Sequence, residues 1–140
     1  PIPGLPDSEI QMLGAGDAAE MLALATLTRP GPFRLGTPAM GRFFGIRREG
    51  RLAAMAGERL RFPGHVEVSG ICTHPDCRGD GLARRLAAHV VAQILARGER
   101  PFLHSFKDNL AAIALYERLG FRHRADVHVA AFANKAATPI

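Results

Sequence analysis

Arg78-Gly79-Asp80-Gly81-Leu82-Ala83 places a cation, two glycines and the start of an apolar periodicity within six residues. Glycines let a turn bring backbone N–H groups against a ligand without Cβ clashes, and the first turn of a helix adds unpaired donors and a partial positive charge. A turn of this kind suits a phosphate group. Further along, Asn109 and Tyr116 stand seven residues apart. A helix through them turns nearly twice over that interval and carries both on one side. Tyr116 is the only tyrosine in the chain, and capping by Asn109 is the competing explanation of that residue.

The elements that must position these groups follow from periodicity. Val66-Glu67-Val68-Ser69-Gly70-Ile71-Cys72-Thr73 is rich in β-branched and apolar residues and runs into His74-Pro75, which predicts a strand ending there. Leu82, Leu86, Val90 and Ile94 recur every four residues, with Ala83, Ala87, Val91 and Leu95 alongside and Arg84, Arg85, Gln93 and Arg97 on the wetter side. That spacing predicts a helix stopped by Gly98. Upstream, Glu9 to Leu13 reads as a short strand, and Asp17 is expected to cap a helix through about Thr28. Residues 29–38 are too broken by Pro and Gly for a regular element. Phe43 to Arg48 and Leu52 to Phe62 read as a hairpin around Glu49-Gly50, with Gly57 a bulge or soft spot. A strand-like Phe102-Leu103-His104-Ser105 leads to a helix capped by Asp108 or Asn109 and ended by Gly120, with terminal strands to follow and a loose tail from Asn134 to Ile140. The expectation is one α/β domain with a mixed sheet over residues 1–140, its ordered core about 9–133.

The glycine turn is neither of the two commonest nucleotide loops. A P-loop needs Lys followed by Ser or Thr after its last glycine, where this chain has Leu82-Ala83, and a dinucleotide fingerprint needs a third glycine. The stretch resembles instead the Arg/Gln-x-x-Gly-x-Gly/Ala signature of the GNAT family of N-acetyltransferases, matched by Arg78, Gly81 and Ala83. Asn109 through Phe121 is similar to the same family's Asn-x-x-Ala-x-x-Leu-Tyr-x-x-x-Gly-Phe element, with Ala112, Leu115, Tyr116, Gly120 and Phe121 in place. The resemblance covers about Glu9 to Ala133 and is strongest from Glu67 to Phe121.

The resemblance implies a mixed, mostly antiparallel central sheet flanked by helices, and transfer of acetyl from acetyl-CoA to an amine by direct attack. It implies cofactor contacts at Ile71, Cys72, Thr73, Arg78, Gly79, Asp80, Gly81, Leu82, Ala83, Asn109 and Tyr116. It gives Tyr116 the role of donor to the departing CoA sulfur and Glu67 that of base. Glu58, His65 and His104 are rivals for the base, and an exposed strand carboxylate is the ordinary alternative for Glu67. Asp80 departs from the family pattern, since an acid beside a pyrophosphate is unfavourable unless its side chain points outward. Ser69-Gly70 lies where the family strand bulges and frees backbone groups for the pantetheine arm. The segment after the first helix is expected to border the acceptor. A non-catalytic, CoA-binding regulatory module is the alternative function.

Composition narrows the classes further. The 140 residues are 47% hydrophobic and 22% charged, ordinary for one globular domain. The first residue is Pro rather than Met, which leaves room for upstream sequence. No apolar run approaches the ~20 residues of a membrane span, and the start lacks the pattern of a signal peptide; cytoplasm is the expected location, with no membrane partner. The net charge of +5 comes from scattered arginines, without a basic face interleaved with aromatics, so nucleic acid is not an expected partner. Two cysteines cannot build a disulfide framework or complete a structural zinc site, and no metal is expected. Cys77 near a helix start keeps an acetyl-cysteine route under consideration. A monomer or homodimer is expected.

Overall fold

In a computed structural model, which describes residues 7–29 and 33–126, the chain runs β1 (Gln11–Leu13), α1 (Ala18–Thr28), β2 (Phe43–Arg48), β3 (Arg51–Phe62), β4 (His65–Thr73), α2 (Leu82–Ala96), β5 (Arg100–Phe102) and α3 (Leu110–Arg118). Short 3-10 turns cover 15–17, 37–40 and 75–77. Glu49 and Gly50 both take positive φ, 52° and 78°. This is the geometry whose twist suits a two-residue hairpin, and it joins β2 to β3. The five strands lie in the order β1-β2-β3-β4-β5. The first four are antiparallel neighbours, and β5 is parallel to β4. The α/β class and the mixed, mostly antiparallel sheet are as the sequence indicated.

The helices cover opposite faces of the sheet. Leu82, Leu86, Val90 and Ile94 of α2 pack on Phe44, Ile46, Ala56, Val66 and Val68. Met21, Leu24 and Ala25 of α1 pack with Phe43, Leu52, Met55 and Cys72. Each large apolar side chain so buried stabilises the fold by about 1.5–3 kcal/mol before the entropy of ordering it is counted. Leu95, placed with the apolar face by its spacing, is instead 57% exposed.

Register shifts decide which side chains reach which face. Met55 pairs with Cys72 and Gly57 with Ser69, so β4 carries an extra residue there, and Gly70 takes φ +66° to absorb it. Residues on either side of this bulge change parity: Val66 and Val68 face α2, whereas Cys72 faces α1. Glu67, between the two valines, therefore points away from α2. A second shift, between Glu58/Val68 and Arg61/Val66, puts an extra residue into β3 near Arg59.

Several local expectations are corrected. The bulge beside Gly57 belongs to β4; Gly57 is required because a Cβ there would lie 2.4 Å from the Phe43 ring. The third-last predicted element ends at Phe102 rather than Ser105, and β1 starts at Gln11 rather than Glu9. Asp17 makes no side-chain cap on α1, because its carboxylate accepts from Gly14 N at 2.8 Å and from Arg47 at 2.8 Å. Residues 121–126 adopt no regular element; the rest of the expected terminal strands, and the tail, lie outside the described residues.

Gly57→Ala therefore overpacks the core against Phe43. The expected loss is about 1–3 kcal/mol, read as a lower midpoint in urea with an unchanged slope.

Candidate active site

Strand β4 is paired to β5 only over His65–Glu67 against Arg100–Phe102. Beyond Glu67 the two chains separate, and a cleft of about 600 Å³ opens beside the end of β4. Ile71, Cys72 and Thr73 form one wall, and Asn109, Ala112 and Leu115 of α3 the other. Its floor is the turn into α2, with Arg78, Gly79, Gly81, Leu82 and Ala83. Nine of the cofactor residues expected from the sequence are thus brought together.

The turn has the features a phosphate requires. Gly79 and Gly81 take φ of +95° and +71°, and a Cβ at either would meet nothing within 4 Å. Backbone conformation, not space, selects glycine at both. Gly81 is the N-cap of α2 and no side chain caps that helix, so its leading N–H groups are left to a ligand or water. Arg29, Arg78, Arg84 and Arg118 also line the cleft. None of the four is ion-paired to a described residue, in contrast to neighbouring Arg85, which is held by Asp7 at 2.7 Å and Glu9 at 2.9 Å. The cleft is therefore electropositive without internal neutralisation.

Arg29, Arg84 and Arg118 were not singled out from sequence. Arg84 follows Gly81 by three residues and so sits in the first turn of α2. Arg118 shares a helix side with Ala111 and Leu115 by its spacing of seven and three. Arg29 offered no such signal, because its place depends on a left-handed residue, φ 53°, that ends α1.

Of the expected cofactor residues, two lie outside the cleft lining, as does the expected base, Glu67. Asp80 lines a separate hollow with Arg48, Arg51 and Asp76. Tyr116 is half-buried on α3, its ring edge-on to Phe121 at 6.4 Å. Burial raises its pKa, which keeps the hydroxyl protonated. Asn109 lines the cleft and also caps α3, its side-chain oxygen accepting from Ala112 N at 3.2 Å.

The candidate bases differ in their surroundings. Glu67 is not an exposed strand carboxylate: it is 1% exposed. Arg59 donates to both of its oxygens, at 2.8 and 3.1 Å, and His104 Nδ1 lies 2.6 Å from Oε2. Glu58, also 1% exposed, pairs in register with Val68 and so faces α2. Arg61 and Arg97 occupy its oxygens at 2.9–3.1 Å, a structural clamp at the end of α2. His65 stacks on Phe62 with ring centres 4.9 Å apart.

Cys72 is buried among the α1 contacts. Burial pushes its thiol pKa up to about 11, against a smaller lowering by a hydrogen bond with Thr28. Such a thiol is a poor nucleophile at neutral pH.

Among curated protein sequences none matches the chain significantly. Solved structures do. A protein from Novosphingobium aromaticivorans, described as a GNAT-family acetyltransferase, is 54% identical with a TM-score of 0.83 over 89% of this chain. This chain spans 56% of that protein's length. The ribosomal-protein-S18-alanine N-acetyltransferase of Escherichia coli is 27% identical with a TM-score of 0.73, covering 83% of this chain and 78% of its own. AAC(6')-Iy, solved with the bisubstrate analogue CoA-S-monomethyl-acetylneamine, shares the fold at 19% identity and a TM-score of 0.68, over 89% of this chain and 97% of its own. The model of the FR47-like protein family matches residues 43–129, which include β2 to α3 and the whole glycine turn. The chain belongs to the FR47-like family, within the GNAT fold of acetyltransferases.

Proposed function

We propose that the chain is an acyl-CoA-dependent N-acyltransferase that moves acetyl from acetyl-CoA to an amine by direct attack. The observation that carries this reading is the cleft itself: an uncapped helix start, two left-handed glycines and four arginines without ion-pair partners among the described residues converge beside an unpaired strand edge. The arginines and backbone N–H groups suit the phosphates of CoA. The edge of Ile71–Thr73 suits the amide-bearing pantetheine arm, which can hydrogen-bond as a strand would. The likeness to a protein solved with a CoA-derived bisubstrate analogue supports the same donor.

In this reading a neutral amine attacks the thioester carbonyl, the C–N bond forms and the C–S bond breaks. Tyr116, which burial keeps in its protonated form, gives its proton to the leaving sulfur. The competing reading, a module that binds CoA without turnover, draws on the position of Tyr116 outside the cleft lining and on Asn109 being engaged in its own helix. Binding alone does not separate the two; turnover does.

Three outcomes are expected. CoA at about 100 times its dissociation constant stabilises the wild type by roughly 2.7 kcal/mol, seen as a rise in melting temperature. Gly81→Val abolishes that rise at a cost of about 1–2 kcal/mol for a left-handed β-branched residue; an undiminished rise in the variant would place the ligand elsewhere. Cys72 resists iodoacetamide at pH 8, where about one thiol in a thousand is ionised, and Cys72→Ala and Cys77→Ala retain substantial turnover; an acetyl-cysteine on the pathway contradicts direct attack. Tyr116→Phe keeps CoA affinity and loses turnover by about 10²-fold, up to 10⁴; near wild-type turnover would make Tyr116 structural.

A further inference from the structure

The carboxylate expected to take the proton from the acceptor amine is fully engaged. Both oxygens of Glu67 are taken by Arg59, and one also by His104. With 1% exposure, Glu67 is not placed to meet an acceptor from solvent. His104 is: its side chain is 48% exposed, and it follows the last paired residue of β5, Phe102, by two. Phe102 pairs in register with Glu67. His104 therefore lies just past the point where the β4–β5 pairing ends, its ring held on Glu67 and outside the residues that line the cleft.

We propose that His104 is the catalytic base, with Glu67 as the residue that positions it. The Nδ1–Oε2 distance of 2.6 Å fits an Nδ1–H donating to a carboxylate, which puts the lone pair of the neutral ring on Nε2. The Phe102 ring, edge-on at 5.8 Å and 85°, limits rotation of the imidazole. Arg59, bidentate to Glu67, fixes the carboxylate in turn. The charged and titratable groups around the ring are Glu67 on β4 and Arg59 on β3, with His65 beyond the Phe62–Phe102 pair.

The proton balance is complete. An acceptor ammonium gives one proton to Nε2, and the neutral amine attacks the thioester. Tyr116 protonates the departing sulfur to give CoA thiol, and the second N–H proton, lost as the amide forms, restores the Tyr116 hydroxyl. The imidazolium then releases its proton to water, so each turnover frees one proton. Because catalysis starts from a charged amine, the base must be neutral, and kcat/KM should fall on the acid side as the ring protonates.

This proposal rests on the transferase reading, and its test separates the two. First, the ¹⁵N spectrum of the His104 ring in the protein without acceptor is expected to show the Nδ1–H tautomer; the Nε2–H tautomer overturns the proposal without recourse to activity. Next, with an amine that supports wild-type turnover, His104→Gln is expected to lose kcat by about 10²-fold or more, to lose the acid limb of the kcat/KM profile, and to keep its affinity for CoA. Glu67→Gln keeps the ring but removes the carboxylate that orients it, so turnover should fall with His104 still required. A retained limb in His104→Gln, or a limb abolished only in Glu67→Gln, overturns the assignment while leaving the transferase reading intact. Absence of turnover with every amine, despite CoA binding, overturns both.

Discussion

Strand β4 is hydrogen-bonded to β5 for only three residue pairs, and the rest of the site follows from that limit. Backbone N–H and C=O groups need partners, and a strand edge stripped of its neighbour offers a ladder to whatever lies beside it. Past Glu67 the sheet therefore opens a wedge. Its sides are β4 and α3, and its base is the start of α2, an uncapped helix N-terminus. The bulge at Gly70 turns the strand at that point and moves Cys72 to the face opposite Val66 and Val68.

The charge distribution reinforces this geometry. Among the described residues the ion pairs lie away from the cleft lining: Arg85 is tied to Asp7 and Glu9, Arg47 to Asp17 and Glu20, and Arg97 to Glu58 and Glu99. The arginines that line the cleft have no carboxylate of the described chain within ion-pair distance. An acid in the glycine turn would spoil that asymmetry, but Asp80 lines the neighbouring hollow and not the cleft. Net charge alone said nothing of this. Its meaning lies in which cations are already neutralised.

Local features were legible in the sequence, and features made by pairing were not. Gly79 and Gly81 announced a turn, and the four-residue apolar repeat announced α2, because both depend on neighbours in the chain. Glu67 also stood out, yet its environment did not. Its contacts join residue 59 through a bulge in β3 and residue 104 through a parallel partner 35 residues away in sequence. No periodicity encodes either. Gly57 was misread for a similar reason, since the extra residue sits across the ladder and the glycine answers to the Phe43 ring. Asp17 met the composition of a helix cap but was drawn to Gly14 and Arg47 instead.

The central claim is that the turn at 78–84 receives the phosphates of CoA through backbone N–H groups. A ¹H–¹⁵N spectrum titrated with CoA tests it most directly. The largest amide shifts are expected on Gly79 and Gly81 to Arg84, with smaller ones along Ile71 to Thr73. Shifts confined to the hollow of Arg48, Arg51 and Asp76, or no saturable shift at millimolar CoA, would contradict it.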